Sequence, residues 1–313
     1  MHPFDQYHPN DDMYRSIGAL AVFTCLTITL LYIFDVATLL ATTGDSLIRE
    51  SSSFLFLWHM VCLIVGVSAV IHMYRMKTGH MVVRSHVKKT DILIHPLGIQ
   101  KFVTFSSWTL LLNVMFFALA TISSSLLFVE ADLPQWLIQI LAGSFVTALG
   151  ASFLTSSVVR YVILPRNHAD EEHHRRQFWF HNQVMHNFCT IFLVVEIIIT
   201  TPQLEFSYML FGILIGLAYA LFAFPFAVYG GGFYCYSFID PRLQKAPFFI
   251  LMLALAISLS YVGVWLVSEL ISFNIILGSI LLIVWCSMIV QFKPINGALS
   301  GGRAEPKTEA MGR

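Results

Sequence analysis

Four ionisable side chains fall inside long apolar stretches, where each is costly and needs a partner or a task. They are Asp35, His59, His186 and Glu196. Asp35 and Glu196 read as inter-helix hydrogen-bonding groups, and His59 as a group satisfied near one membrane face. Histidine is abundant, with 12 in 313 residues. Eight of them crowd two connecting loops and the adjoining helix starts: His80, His86, His95, His168, His173, His174, His181 and His186. Membrane di-iron desaturases and hydroxylases also gather loop histidines, in tightly spaced boxes. His181 and His186 fit such a spacing, but His80 to His86 and His168 to His173-His174 are too long. A haem would need opposed histidines, and His59, His72 and His186 fall at different depths. No metal and no cofactor is therefore expected, and a His-rich di-iron lipid desaturase or hydroxylase is the lesser alternative. The soluble motifs are missing too. Gly230-Gly231-Gly232 lacks the Lys-Ser/Thr of a phosphate loop, and no GxSxG elbow or HExxH helix occurs. The five cysteines form no CxxC pair and read as small buried hydrophobes.

The elements that must position these groups are apolar and long. Hydrophobic residues make up 57% of the chain and charged residues 12%, against about 25% charged in soluble domains. With a mean hydropathy of +0.74, this excludes an ordinary cytosolic enzyme and a disordered chain. Zero net charge gives no pointer to nucleic acid. A helix crosses the hydrocarbon in about 20 residues. Eight stretches reach or approach that length, at roughly 17–43, 53–75, 103–128, 136–163, 182–201, 207–229, 247–268 and 271–292. Period-two alternation is absent, which excludes a membrane β-barrel. The fold class is an all-α polytopic transmembrane bundle of about eight helices. Only the residues around Ser268-Glu269-Leu270 separate the last two stretches, so a re-entrant hairpin is the alternative there.

Charge placement sets the orientation. With eight crossings, 17 of the 18 basic residues fall on one side and Arg49 alone on the other. Positive charge stays cytoplasmic, so both termini are expected there. The first fifteen residues are polar and acidic, unlike a signal peptide. The long connections, 76–102 and 164–181, are then cytoplasmic loops, and the tail SGGRAEPKTEAMGR is expected to be disordered. The glycine run is expected to end the sixth helix. Phe233, Tyr234, Tyr236 and Phe238 after it suit a membrane interface.

Two helix starts carry a further pattern. The third stretch opens Gln100-Lys101-Phe102-Val103-Thr104-Phe105, and the fifth opens Asn182-Gln183-Val184-Met185-His186 and runs on to Val195-Glu196. They resemble the W-K-F-L-T-F and N-H-G-M-H patterns of the androgen-induced family. That family includes the androgen-dependent regulator of tissue-factor-pathway inhibitor. Phe233-Tyr234-Cys235-Tyr236-Ser237-Phe238 looks like its W-V-Y-P-F. Gln183 and Ser237 depart from the pattern, standing where the family has histidine and proline. The resemblance covers roughly residues 99–270. It implies a membrane threonine hydrolase of fatty acid esters of hydroxy fatty acids, with Thr104 as nucleophile and His186 as catalytic histidine. It also divides the chain into an N-terminal extension with two helices (1–101), a hydrolase-like core (102–270) and a last helix with a polar tail (271–313).

The chemistry fits these residue types. A threonine hydroxyl is a poor nucleophile until a base takes its proton, and neutral histidine is a suitable base near pH 7. Thr104 and His186 lie near the cytoplasmic starts of their helices, hence at similar membrane depth. Glu196 lies ten residues beyond His186, about 15 Å along a helix, too far to orient its ring. A Thr–His dyad is the expectation. A threonine at a helix entrance also serves as a cap, and an embedded histidine as a strut. The substrate is expected to be a lipid ester entering from the bilayer, with no nucleic acid partner. The membrane is expected to be the endoplasmic reticulum or the plasma membrane. A transporter or a structural subunit of a membrane complex is the non-enzymatic alternative.

Overall fold

A computed structural model of the chain describes residues 6–48, 52–166 and 171–294. Arg49, Glu50, His168 and the tail beyond residue 294 lie outside these residues, as does the side chain of His173. The described chain is mainly helical. Its principal helices are α1 (Tyr14–Ile33), α2 (Val36–Ile48), α3 (Ser53–Arg75), α4 (Phe105–Phe128) and α5 (Gln135–Ile163). They continue as α6 (Phe180–Thr200), α7 (Phe206–Gly230), α8 (Ala246–Phe273) and α9 (Ile275–Ile289). Seven are long and apolar enough to cross a membrane, and α2 and α9 are shorter, at 13 and 15 residues.

The first expected helix is broken in two. Asp35 takes a φ of +46° between α1 and α2, a conformation that Asp tolerates better than most residues. Its side chain is exposed and bonds no other described helix, which corrects the expectation of inter-helix bonding. Glu196 does what was expected of it. His59 Nε2 lies 3.0 Å from Glu196 Oε1, and Trp58 Nε1 donates to Glu196 Oε2 at 3.0 Å. His59 Nδ1 lies 3.2 Å from Ser124 Oγ, so α3, α4 and α6 share one polar knot.

The last boundary falls at Asn274, whose side chain accepts from Leu277 N at 3.0 Å and caps α9. The far end of α9 is tied to the end of α5 and the start of α6. Asn187 Nδ2 donates to Gln291 O at 2.8 Å, Tyr161 Oη to Met288 O at 2.6 Å, and Arg160 to Val290 O. Helix α9 therefore returns to the end of the bundle where α5 ends and α6 begins.

Helix α5 is the axis of the bundle. Its Ala142, Phe145, Leu149 and Phe153 are fully enclosed by residues from α2, α4, α6 and α8. In lipid such packing relies on small residues and shape rather than on a hydrophobic drive between helices. Gly212 on α7 shows this, since a Cβ there would lie 2.7 Å from Ser258 N on α8. Outward faces carry Leu26, Phe54, Ile64, Leu111 and Leu259, all exposed as a lipid-facing surface requires.

One face carries a small antiparallel sheet that the all-α expectation omitted. Strands β1 (Met81–Ser85) and β2 (Asp91–Ile94) form a hairpin inside the 76–102 connection. Strand β3 (Phe233–Tyr234) pairs with the other edge of β1. Two of the expected interfacial aromatics are thus strand residues, buried against Val83 and Val103 or within the neighbouring core. Gly232, at φ +73°, makes the turn between α7 and β3, as expected of a glycine past a helix end. The N-terminal segment lies on this face. Tyr7 bridges to Leu243, its hydroxyl accepts from Arg84, and Lys89 pairs with Asp11 at 2.5 Å.

Candidate active site

Thr104 owes its position to a change of backbone regime. Gly98, at φ +53°, starts a 3₁₀ turn over Gly98–Val103, which ends where Thr104 adopts an extended ψ of 151°. Thr104 is the N-cap of α4, and its Oγ1 accepts from Ser107 N at 3.2 Å. Its Oγ1 also lies 2.6 Å from Ser107 Oγ. Ser107 Oγ donates to Lys101 O at 2.9 Å, so in that contact Thr104 is the donor. The hydroxyl proton is thus directed at Ser107.

His186 sits in a π-helical turn, Val184–Phe188, inside α6. Such turns widen a helix and recur at functional sites. Ser156 Oγ donates to His186 O and lies 2.6 Å from Thr190 Oγ1, which pins this turn to α5. His186 is buried, and its Nδ1 has no hydrogen-bond partner.

Thr104 and His186, from two different helices, line one cavity of about 470 Å³. That is within the range of about 300–1,000 Å³ usual for small-molecule sites. They are not hydrogen-bonded to each other. Met73, Met76 and Met185 supply apolar wall, while His80, Met81 and Val82 at the base of the hairpin form the outer side. No carboxylate is among the described lining residues, so nothing there makes a triad of the pair. Glu196 is committed to His59 and Trp58 instead.

Other groups in this cavity went unassigned in the sequence. Lys101 reaches back to cap α3, donating to Met73 O at 3.0 Å and Met76 O at 2.5 Å. Burial, with Arg176 nearby, pulls its ammonium below the usual lysine range. His181 stacks obliquely on His72 at 5.6 Å, and its Nδ1 is buried without a partner. Tyr236 Oη accepts from Phe105 N at 3.3 Å, at the turn that carries Thr104. Burial drives the Tyr236 hydroxyl above its ordinary range, so it stays protonated. Cys235 also lines the cavity, and burial pushes its thiol up to about 12. A thiol of that kind is not the thiolate a cysteine nucleophile needs at neutral pH. The pairing of β3 with β1, with the contacts of Cys235 Sγ to Val103 O and of Phe105 N to Tyr236 Oη, brings residues 235 and 236 here.

The cap and the nucleophile are the same oxygen, and stability separates the two roles. Thr104→Ala is expected to lower unfolding stability by about 1 kcal/mol, the ordinary value of a lost N-cap. Thr104→Ser is expected to keep it. Thermal or denaturant unfolding in detergent checks this, and collapse of the fold in Thr104→Ala contradicts it. In comparison with known proteins, no family model, no curated protein and no solved structure matches this chain.

Proposed function

We propose that the protein is an intramembrane threonine hydrolase of lipid esters, acting on substrates such as fatty acid esters of hydroxy fatty acids. The observation that carries the reading is the meeting of Thr104 and His186 at one cavity. The resemblance of their two segments to the androgen-induced family supports it, as does the apolar methionine wall.

In the proposed reaction a lipid ester enters between the helices with its carbonyl beside Thr104. The Thr104 O–H turns from Ser107 toward His186 as the substrate binds. Nδ1 of His186 is the enclosed ring nitrogen and keeps its proton, and Nε2 accepts the new one. Thr104 Oγ1 attacks the carbonyl carbon, and the ester C–O bond breaks. The leaving alkoxide takes the proton from His186 and departs as an alcohol. Water then attacks the acyl-threonine while His186 takes its proton. The acid is released, and that proton returns to Thr104. Neutral histidine suits both halves of the cycle.

Loss of either partner is expected to cost on the order of 10⁴-fold or more in kcat. The Thr104→Ala/His186→Ala double variant is expected to be little worse than either single one, because the two act as a unit. Hydrolysis of a branched fatty acid ester by purified wild type and the variants measures this. Full activity in folded Thr104→Ala eliminates the mechanism, and absence of hydrolysis by the folded wild type returns the weight to a transporter or a structural subunit. Losses that multiply argue against a dyad.

The proposed orientation has both termini in the cytoplasm, in the endoplasmic reticulum or plasma membrane. The basic asymmetry supports it, with the contacts of Tyr7 and Asp11 to Leu243 and Lys89 and the return of α9 to Asn187. Glycosylation tags are expected to be modified near residue 132 and not at either end. The reverse pattern overturns the orientation.

A further inference from the structure

Lys101 is a buried residue, 8% exposed, with no carboxylate beside its ammonium among the described residues. Its bonds go to two backbone carbonyls, Met73 O and Met76 O, at the end of α3. Those carbonyls carry only partial charge. An isolated buried charge is strongly unfavourable unless something pairs with it, and Lys101 faces the cavity with one donor left over. Arg176 lines the same cavity and lies in electrostatic range of Lys101. It stacks over Trp179 at 4.8 Å and pairs through Nε and one terminal nitrogen with the exposed Glu172. Its other terminal nitrogen is not used by Glu172. His181 lies on the same side, within electrostatic range of Lys101. Two cations thus border a cavity whose described lining holds no acid. Burial first, and then the Arg176 charge, hold the Lys101 ammonium below its ordinary range.

We propose that Lys101, supported by Arg176, forms an anion subsite in this cavity that binds the free carboxylate of a lipid acid. The inference rests on the hydrolase reading only for the identity of that acid, as substrate or product. The donor supply argues for a carboxylate. One lysine N–H and one arginine nitrogen suit a single charge on two oxygens. A phosphate monoester brings up to about two charges on three oxygens. Lys101 lies three residues before Thr104, and Ser107 bonds both of them, through Lys101 O and Thr104 Oγ1. One turn of chain therefore presents the carboxylate subsite and the hydroxyl proposed to attack the ester. Lys101 is a specificity-determining residue in this account rather than a catalytic one.

The test is direct binding of radiolabelled oleate to the purified, detergent-solubilised protein, with oleamide and oleoyl lysophosphatidate as competitors. Oleate has no ester bond, so the assay reads the subsite whatever the hydrolysis assay gives. Oleamide, which has the same chain and no charge, is expected to compete about tenfold more weakly than unlabelled oleate, as loss of a charged hydrogen bond implies. Lys101→Gln is expected to erase that gap, and Lys101→Arg to keep it. Because Lys101 also caps α3, thermal unfolding verifies that each variant is folded. The wild-type competition decides the matter even if Lys101→Gln does not fold. Absence of saturable oleate binding overturns the proposal, as does equal competition by oleamide. So does a gap that survives in folded Lys101→Gln. Lysophosphatidate outcompeting oleate overturns it in favour of a phosphate site.

Discussion

A carboxylate in the apolar interior must be satisfied by partners within the protein, and Glu196 is the residue that imposes this demand. Its oxygens are held by His59 Nε2 and Trp58 Nε1, both from α3. His59 passes the link to Ser124 on α4. Helix–helix contact in lipid gains little from apolar burial, so such bonds fix rotation and register. Breaking one partner would leave an uncompensated buried polar group, typically a loss of about 3–5 kcal/mol. Helix α6 is thereby locked at its far half. Its near half is locked by Ser156, which holds the carbonyl of His186. The backbone of His186 is thus held at the near anchor.

The same economy of groups appears at Thr104. The oxygen that caps α4 faces the cavity shared with His186, and Ser107 holds its proton at 2.6 Å. Ser107 is in turn occupied by Lys101 O. The hydroxyl is therefore ordered before any substrate arrives, and Lys101 is drawn into the same turn. The hairpin and β3 complete the enclosure from the outer face, delivering His80, Cys235 and Tyr236 to the cavity.

Much of this was legible in the chain because lipid imposes length and polarity on each segment. The spans beginning near Ser53, Phe105, Gln135, Phe180, Phe206 and Ala246 followed from apolar length alone. The bonding of Glu196 followed from its depth. The break at Asp35 was not legible, since an aspartate within an apolar run reads equally as a bonding group. The sheet escaped because β1 pairs with residues almost 150 positions away, and Phe233-Tyr234 resemble interfacial aromatics as much as a strand. Thr104 and His186 were singled out by a family resemblance and by matching depth. Lys101 was left without a role, and His181 and Tyr236 read as part of a histidine spacing and as an interfacial aromatic, because their place at the cavity lies in what surrounds them.

The central claim is that Thr104 becomes acylated during turnover. Acid-quenching the purified protein during hydrolysis of a branched fatty acid ester, followed by peptide mass spectrometry, addresses it directly. The account predicts an acyl mass on the peptide containing Thr104, located on that residue by fragmentation. Hydrolysis that proceeds with the acyl group on another residue, or with none on the protein, would contradict it.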